Sequence, residues 1–286
     1  MSHFDDQLQF LVQSALREDI GDGDHTTLAC IPPEARGKAV LKIKQEGILA
    51  GMEIAEKILA MQEPSATFTR YKNDGDHMRP GELAFEAEAT IRTILQCERL
   101  ILNCMQRMSG IATLTRQYVD RLQKYKTRVL DTRKTTPNFR LLEKEAVRIG
   151  GGINHRFGLY DMILLKDNHI DYCGSLEKAI EKAFAYRNAH KPQLKIEVET
   201  RNIDEVQRVL ALGMVDRIML DNFSPKQIVK ALKLINDRVE TEASGGINLE
   251  NLEDYARTGV DYVSIGALIH QAQSLDLSLK AVIIGH

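Results

Sequence analysis

Between Asp131 and His169 the chain gathers a dense basic set: Arg133, Lys134, Arg140, Lys144, Arg148, His155, Arg156 and Lys166. The whole chain carries a formal net charge of -2. Positive charge concentrated locally in a near-neutral protein suits the gripping of a small anion, not a polyanion-binding surface. Arg133 and Lys134 follow the apolar pair Val129-Leu130, and Lys166 closes the apolar run Met162–Leu165. Cations at the ends of buried strands are held by rigid elements, as anion capture requires. Arg140, Lys144 and Arg148, four apart on a predicted helix, read instead as a solvated helix face. His155 sits beside Arg156 in a glycine-rich loop, and these flanks favour an anion contact. His25, His77, His190, His270 and His286 have no such context and receive no role.

Acidic residues and glycines stand further along. Glu199 and Asp221 end successive apolar runs, where two carboxylates suit Mg²⁺, directly or through water, or sugar hydroxyls. The plainer alternative is that they balance the Arg and Lys side chains. Glu197 lies two residues before Glu199, on the same face of a strand, and Glu242 is placed to add to this acidic side. Ser244-Gly245-Gly246 and Ser264-Ile265-Gly266 suit a phosphate, because glycines let backbone amides approach it closely and Asn248-Leu249 reads as a helix start. Two tight strand-to-helix turns are the alternative. Gly150-Gly151-Gly152 reads as a sharp loop and a candidate flexible point.

These residues need a scaffold. At 286 residues, 43% hydrophobic and 27% charged, the chain is that of an ordinary globular protein with one large or two ordinary domains. The polar start MSHFDDQLQF is not a secretory signal, and no apolar run is long enough to span a bilayer. Cys30, Cys97, Cys104 and Cys173 lack metal-ligand spacing and read as reduced thiols of a cytoplasmic protein. Without net positive charge or an aromatic-rich basic stripe, nucleic-acid binding is excluded. Phe4, Leu8, Leu11, Val12, Ala15 and Leu16 mark an opening amphipathic helix. The acidic turn Glu18–Thr27 lacks the spaced ligands of a calcium loop. Strands at 37–45, 66–71 and 82–89 and a helix at 52–61 predict a small α+β domain. A helical region from Ile91 to about Lys124 follows, interrupted near Ser109-Gly110. Apolar strands then alternate with helices: strands at 128–130, 162–165, 194–198, 217–220, 239–242 and 262–265, helices at 140–149, 176–190, 203–212, 225–236 and 249–258. Alternation of this kind predicts right-handed βαβ units and a parallel sheet, closed or nearly closed into a barrel. A doubly wound open sheet is the rival. In barrels the chemistry lies at the C-terminal strand ends, where all these polar signatures fall.

DTRKTTP at 131–137, GGGINHRFGLYDMILLKDNH at 150–169, IEVET, IMLDN, EASGGI and VSIGAL resemble the quinolinate phosphoribosyltransferase family, as do CERLILNCMQRMSGIAT at 97–113 and EDIGDGDHTT at 18–27. The resemblance covers nearly the whole chain. It implies an α/β protein in two domains: an N-terminal α+β open sandwich at 1–112, with which the tail 271–286 packs, and an incomplete, TIM-like parallel α/β barrel at 113–270. It implies a reaction of quinolinate with 5-phosphoribosyl 1-diphosphate and Mg²⁺ that gives nicotinate mononucleotide, CO₂ and diphosphate in NAD biosynthesis. It also implies a homodimer with shared active sites, with assembly beyond the dimer left open. Carried over by position, Arg99 (from the neighbouring subunit), Arg133, His155, Arg156 and Lys166 match quinolinate-binding residues, and Thr132 belongs to the same loop. Lys134 and Lys166 lie where they would neutralise the leaving diphosphate. Glu199 and Asp221 match the carboxylates facing ribose and metal. Ser244, Gly245, Gly246, Ser264, Ile265 and Gly266 match the ribose-phosphate loops.

Three rivals remain at this stage. A phosphoribosyltransferase for nicotinate would leave a cation of the set unpaired. A Schiff-base lyase would use Lys166 as nucleophile. A non-catalytic relative would bind an anion without turnover.

Overall fold

The computed structural model describes residues His3–Val282. In chain order the elements are α1 (His3–Ile20), α2 (His25–Cys30), β1 (Arg36–Ile43), β2 (Gly47–Ile48), α3 (Met52–Gln62), β3 (Thr67–Arg70), β4 (His77–Met78), β5 (Leu83–Thr90) and α4 (Ile91–Arg121). There follow β6 (Arg128–Leu130), α5 (Arg140–Ile149), β7 (Ile163–Leu165), α6 (Asp167–Cys173), α7 (Leu176–His190), β8 (Ile196–Thr200), α8 (Ile203–Leu212) and β9 (Arg217–Asp221). The last are α9 (Pro225–Ile235), β10 (Glu240–Ser244), α10 (Leu252–Ala256), β11 (Tyr262–Ser264), α11 (Ala267–His270) and β12 (Leu277–Val282). No helix among the described residues is long and apolar enough to cross a membrane.

Packing divides the chain into two units. One holds the chain up to Arg116, the segment Thr135–Gly151 and the chain from Leu268 onward; the other holds Gln117–Lys134 and Gly152–Ala267. The division read from sequence differs in one segment, since α5 packs with the first unit. The glycine run 150–152 falls where the chain passes from one unit to the other.

The first unit carries an antiparallel sheet ordered β12-β1-β5-β3. The tail supplies β12, paired antiparallel with β1 from Lys38↔Val282 to Ile43↔Leu277. Residues 283–286 of that tail, with His286, lie outside the described residues, as do residues 1–2. The acidic turn after α1 works as a helix cap: Asp24 accepts the Thr27 N–H at 3.1 Å and starts α2. Helix α4 is unbroken, so the interruption expected at Ser109-Gly110 is corrected. Ser109 Oγ accepts the Ala50 N–H at 3.0 Å. A Cβ on Gly110 would lie 1.9 Å from the Gln273 carbonyl oxygen. The pair is a site of close packing, a pattern that local sequence does not distinguish from a helix break. The solvated face expected for Arg140, Lys144 and Arg148 also needs correction, because Lys144 is only 1% exposed. Leu142, Glu143, Ala146 and Val147 are buried as well, so α5 is covered around much of its circumference.

The second unit is a six-stranded parallel sheet ordered β6-β11-β10-β9-β8-β7. Chain order runs β7 to β11 without reversal, and β6 returns beside β11. A doubly wound sheet would reverse at a switch point, so the rival is set aside in favour of an incomplete barrel. The opening lies between β6 and β7, where Ile153 makes one isolated parallel bridge to Leu130. Every residue of β8 is buried, as expected for a parallel strand covered on both faces. Ser175, Asn202 and Ser224 cap α7, α8 and α9 by accepting N–H groups of Lys178, Glu205 and Gln227. Such caps contribute about 1 kcal/mol each. Asn202 and Ser224 start helices directly after strand ends and keep those connecting loops short, while Ser175 starts α7 just after α6.

Candidate functional site

Asp131, at the end of β6, is fully buried. Its carboxylate accepts the His155 N–H at 2.8 Å and the Asn154 side-chain amide at 2.7 Å. This fixes the loop 152–156 against the strand and holds His155-Arg156 beside Arg133. Burial first, then the neighbouring Arg133 charge, push the Arg156 pKa down. Two like charges held together in a half-buried place favour an anion between or above them. The Arg156 guanidinium also donates to the Met162 carbonyl at 3.3 Å. Thr132 Oγ1 accepts the Lys134 N–H at 3.1 Å and shapes the turn that leaves Lys134 exposed.

Lys166 follows β7, and its Nζ lies 3.0 Å from Glu199 Oε2 on β8. Glu199 is nearly buried, while Lys166 is exposed. On β9, Asp221 accepts the Ser244 hydroxyl at 2.6 Å and the Asn222 side-chain amide at 2.7 Å. Beyond β10, Gly245 and Gly246 have φ of +94° and +63°. At Gly245 a Cβ would also lie 2.1 Å from Asn222 Oδ1, so only glycine fits. Two successive left-handed residues form a concave turn of the kind that receives anionic oxygens. Cations, carboxylates and glycine turns thus share the C-terminal ends of the parallel strands, where α/β barrels place their chemistry.

Below this rim is a buried charged layer. His155 Nε2 lies 3.0 Å from Glu197 Oε2 and 3.4 Å from Glu242 Oε2. Arg217 lies 3.2 Å from Glu242 and stacks on Tyr262, 4.4 Å from the ring centroid. Burial alone would lower the His155 pKa; the hydrogen bonds to Glu197 and Glu242 outweigh it and raise it to about 9. The Arg156 N–H works against them, since it donates to His155 Nδ1 at 2.7 Å and needs that nitrogen without a proton. Burial and then the Glu242 charge raise Glu197 to about 7. For Glu242, burial is outweighed by the His155 hydrogen bond, and its pKa is lowered.

A family model for the C-terminal domain of quinolinate phosphoribosyl transferase matches residues 111–280, and one for the N-terminal domain matches 24–109. The chain belongs to the quinolinate phosphoribosyltransferase family. It is 42% identical over 283 residues, covering 99% of this chain and 96% of the relative, to a probable nicotinate-nucleotide pyrophosphorylase [carboxylating] of Bacillus subtilis (strain 168). It is 43% identical over 288 residues, covering 96% of this chain and 82% of the relative, to quinolinate phosphoribosyltransferase [decarboxylating] 2, mitochondrial, of Nicotiana glauca. The crystal structure of NadC from Streptococcus pyogenes superposes with a TM-score of 0.88 at 41% identity, covering 97% of this chain and 98% of that one.

Within this family frame, Thr132, Arg133, Lys134, Lys166, Glu199, Asp221, Gly245, Gly246 and Gly266 all lie at or just beyond strand ends of the second unit, while Arg156 stands in the loop between α5 and β7. Arg99 is an exposed residue of α4 in the first unit. Three expectations need adjusting. The His155 ring faces Glu197 and Glu242 and accepts from Arg156, which differs from the anion contact its flanks suggest. Ile265 commits its N–H to Leu130 O at 3.0 Å, so that amide serves the sheet and not a phosphate. The helix expected at Asn248-Leu249 begins later, at Leu252 and for five residues only, so the phosphate expectation rests on the glycine turns. Ser244 and Ser264 hold carboxylates: Ser244 bonds Asp221 and Ser264 bonds Glu242. Sequence reasoning missed Asp131 and Arg217. The signal for Arg217 was available, as a lone arginine opening the apolar strand RIMLD.

Proposed function

We infer that this protein is a quinolinate phosphoribosyltransferase. It joins the phosphoribosyl group of 5-phosphoribosyl 1-diphosphate to the ring nitrogen of quinolinate, releases diphosphate and CO₂, and forms nicotinate mononucleotide for NAD biosynthesis. The observation that carries the reading at the site is the Arg133–Arg156 pair, two fixed guanidiniums for the two carboxylates of one ring acid. Guanidinium forks grip carboxylates bidentately, which fixes the ring plane as well as its charge.

The remaining roles follow from position. The Gly245-Gly246 turn and Gly266 offer backbone to the ribose phosphate. Glu199 and Asp221 face the ribose. As the bond from C1 to diphosphate breaks, positive charge grows on the ribose, and these carboxylates stabilise it. Lys134 and Lys166 neutralise the departing diphosphate, so Lys166 must exchange its Glu199 partner for a ligand oxygen. The quinolinate nitrogen gives its lone pair to C1. With the ring nitrogen cationic, the bond to the adjacent carboxylate breaks, its electrons stay on the ring carbon, and that carbon takes a proton from water. Positioning and electrostatics account for the chemistry, and no single general base is assigned. Glu199 and Asp221 are hard oxygen donors that suit Mg²⁺, directly or through water. When bound, the ion adds positive charge to the diphosphate. His155, Glu197 and Glu242 also have metal-ligand spacing, but the Arg217 guanidinium already supplies a cation there.

Arg99, exposed on its helix, is assigned to the partner's quinolinate site in a homodimer. Four free cysteines, two of them buried, support a reducing, cytoplasmic setting.

Calorimetry with quinolinate and nicotinate tests the clamp. The wild type should prefer the dicarboxylate, and Arg133→Ala should weaken quinolinate binding by at least about 2 kcal/mol, roughly the value of a charge-assisted pair, with little change in melting temperature. Equal affinity for both ring acids, or an unchanged Arg133→Ala, would remove the dicarboxylate assignment.

A further inference from the structure

Two neighbouring strand ends of the second unit meet at a side chain that the reaction as derived does not use. Asn222 follows Asp221 at the end of β9, and Gly245 follows Ser244 at the end of β10. Asp221 and Ser244 are paired across the sheet, and the Asn222 N–H donates to the Ser244 carbonyl at 2.8 Å. Asn222 has φ of +56°, in the left-handed region that asparagine enters more readily than most residues. The next residue, Phe223, is only 1% exposed. A turn that carries Phe223 into the core explains an asparagine or a glycine at 222 equally well.

The amide does more than that turn asks. A carboxylate only accepts, so the end of the amide 2.7 Å from Asp221 Oδ2 is the Nδ2 donor, and Oδ1 faces away from it. The oxygen meets Gly245, where a Cβ would lie 2.1 Å from Oδ1 and 2.7 Å from Cγ. The amide thus fills the space that a side chain at 245 would take. Asp221 Oδ1 is held as well, by the Ser244 hydroxyl at 2.6 Å. About two of the roughly four acceptor sites of the carboxylate remain for a ligand. One planar amide therefore spans the carboxylate assigned to the ribose and the glycine turn assigned to its phosphate.

We propose that Asn222 is a positioning residue that sets the spacing between the Asp221 carboxylate and the Gly245-Gly246 turn. It acts through these neighbours and fixes the ribose between its two grips. A ribose carries its 5-phosphate and its C1 at separate ends of one ring, and reacting groups must be held to within about 0.5 Å. An error in this spacing moves C1 away from the quinolinate nitrogen. Arg133 and Arg156, after β6 and in the loop before β7, belong to other parts of the rim. The inference rests on the quinolinate phosphoribosyltransferase reading for what occupies the site.

Asn222→Gly in the full-length protein separates this role from the needs of the turn. Glycine accepts the left-handed backbone, which offsets the freedom it adds to the unfolded chain, so the melting temperature should stay near that of the wild type. Steady-state kinetics should show kcat lowered at least about tenfold and KM for 5-phosphoribosyl 1-diphosphate raised. Quinolinate affinity, read by calorimetry, should be unchanged. Asn222→Asp keeps the size and the tolerance of positive φ, but it loses the donor and sets a like charge against Asp221. It should show the same split, and it stands in if the glycine variant does not fold. Wild-type kinetics in either folded variant, or a loss that quinolinate affinity shares equally, overturns the proposal. If the wild type does not turn over 5-phosphoribosyl 1-diphosphate, the substrate reading fails separately. The ¹⁵N order parameters of Gly245 and Gly246 then decide. They should fall in Asn222→Gly, and unchanged values overturn the inference.

Discussion

Asp131 shows how much of the site depends on one buried acceptor. Its carboxylate receives the His155 N–H and the Asn154 amide, and through them fixes where Arg156 stands relative to Arg133. Asp131→Ala would take the acceptor from the buried His155 N–H, at about 1–3 kcal/mol, and remove the Asn154 tether. The expected result is a lower melting temperature together with weaker quinolinate binding, read by calorimetry on the same samples; a variant that loses stability but keeps full affinity would detach the loop from the clamp. At this scale the sequence was legible where a residue's type declares its task. Arg133, Lys166, Glu199 and Asp221 are charged groups that close apolar runs, and the structure puts them at strand ends; Arg156 stood out by its glycine-rich loop and keeps to one. Residue type was a poor guide where a side chain has two possible directions. His155 next to Arg156 suggests an outward ring, but Glu197 and Glu242 draw it inward, and neither is near it in sequence. The Ile265 amide, likewise, is claimed by Leu130 through a strand pairing that no local motif records.

At the scale of elements, periodicity and caps did most of the specifying. The alternation after residue 128 is matched closely by β6 to β11 and their helices, because buried parallel strands are short apolar runs and the caps Ser175, Asn202 and Ser224 fix the helix starts. What local sequence does not carry is close contact from distant chain, as at Ser109-Gly110 inside α4. The start of that helix gives a pH prediction. Burial would raise the Glu63 pKa, but the Thr90 N–H and hydroxyl, with Thr93 and Arg36, outweigh it and lower the value from 4.5 to about 2. A depressed carboxylate contributes stability that is complete above its unfolded value and disappears as pH falls through its folded one. Glu63→Gln should therefore melt below the wild type at pH 7, and the gap should close between pH 4.5 and about 2. A gap that stays constant across that window in a thermal melt series would deny Glu63 this role.

At the scale of the whole molecule, the incomplete barrel explains why so many site residues lie at comparable depth: the strands are parallel and all end on one rim. Arg99 is the exception, on a helix of the other unit, and the role proposed for it in a partner's site would make the oligomer part of the enzyme. Mixing inactive Arg99→Ala with inactive Arg133→Ala subunits should restore up to about a quarter of wild-type activity, because random exchange makes half the dimers mixed and each mixed dimer carries one intact site. Persistent inactivity after verified subunit exchange would place Arg99 and Arg133 in the same subunit's site.

The most direct measurement is turnover by the purified protein, following CO₂ and nicotinate mononucleotide together. The account predicts stoichiometric release of both, dependent on quinolinate, 5-phosphoribosyl 1-diphosphate and Mg²⁺, with none formed when any one is left out. Product formed equally well from nicotinate, or quinolinate bound without CO₂ release in the complete mixture, would contradict it.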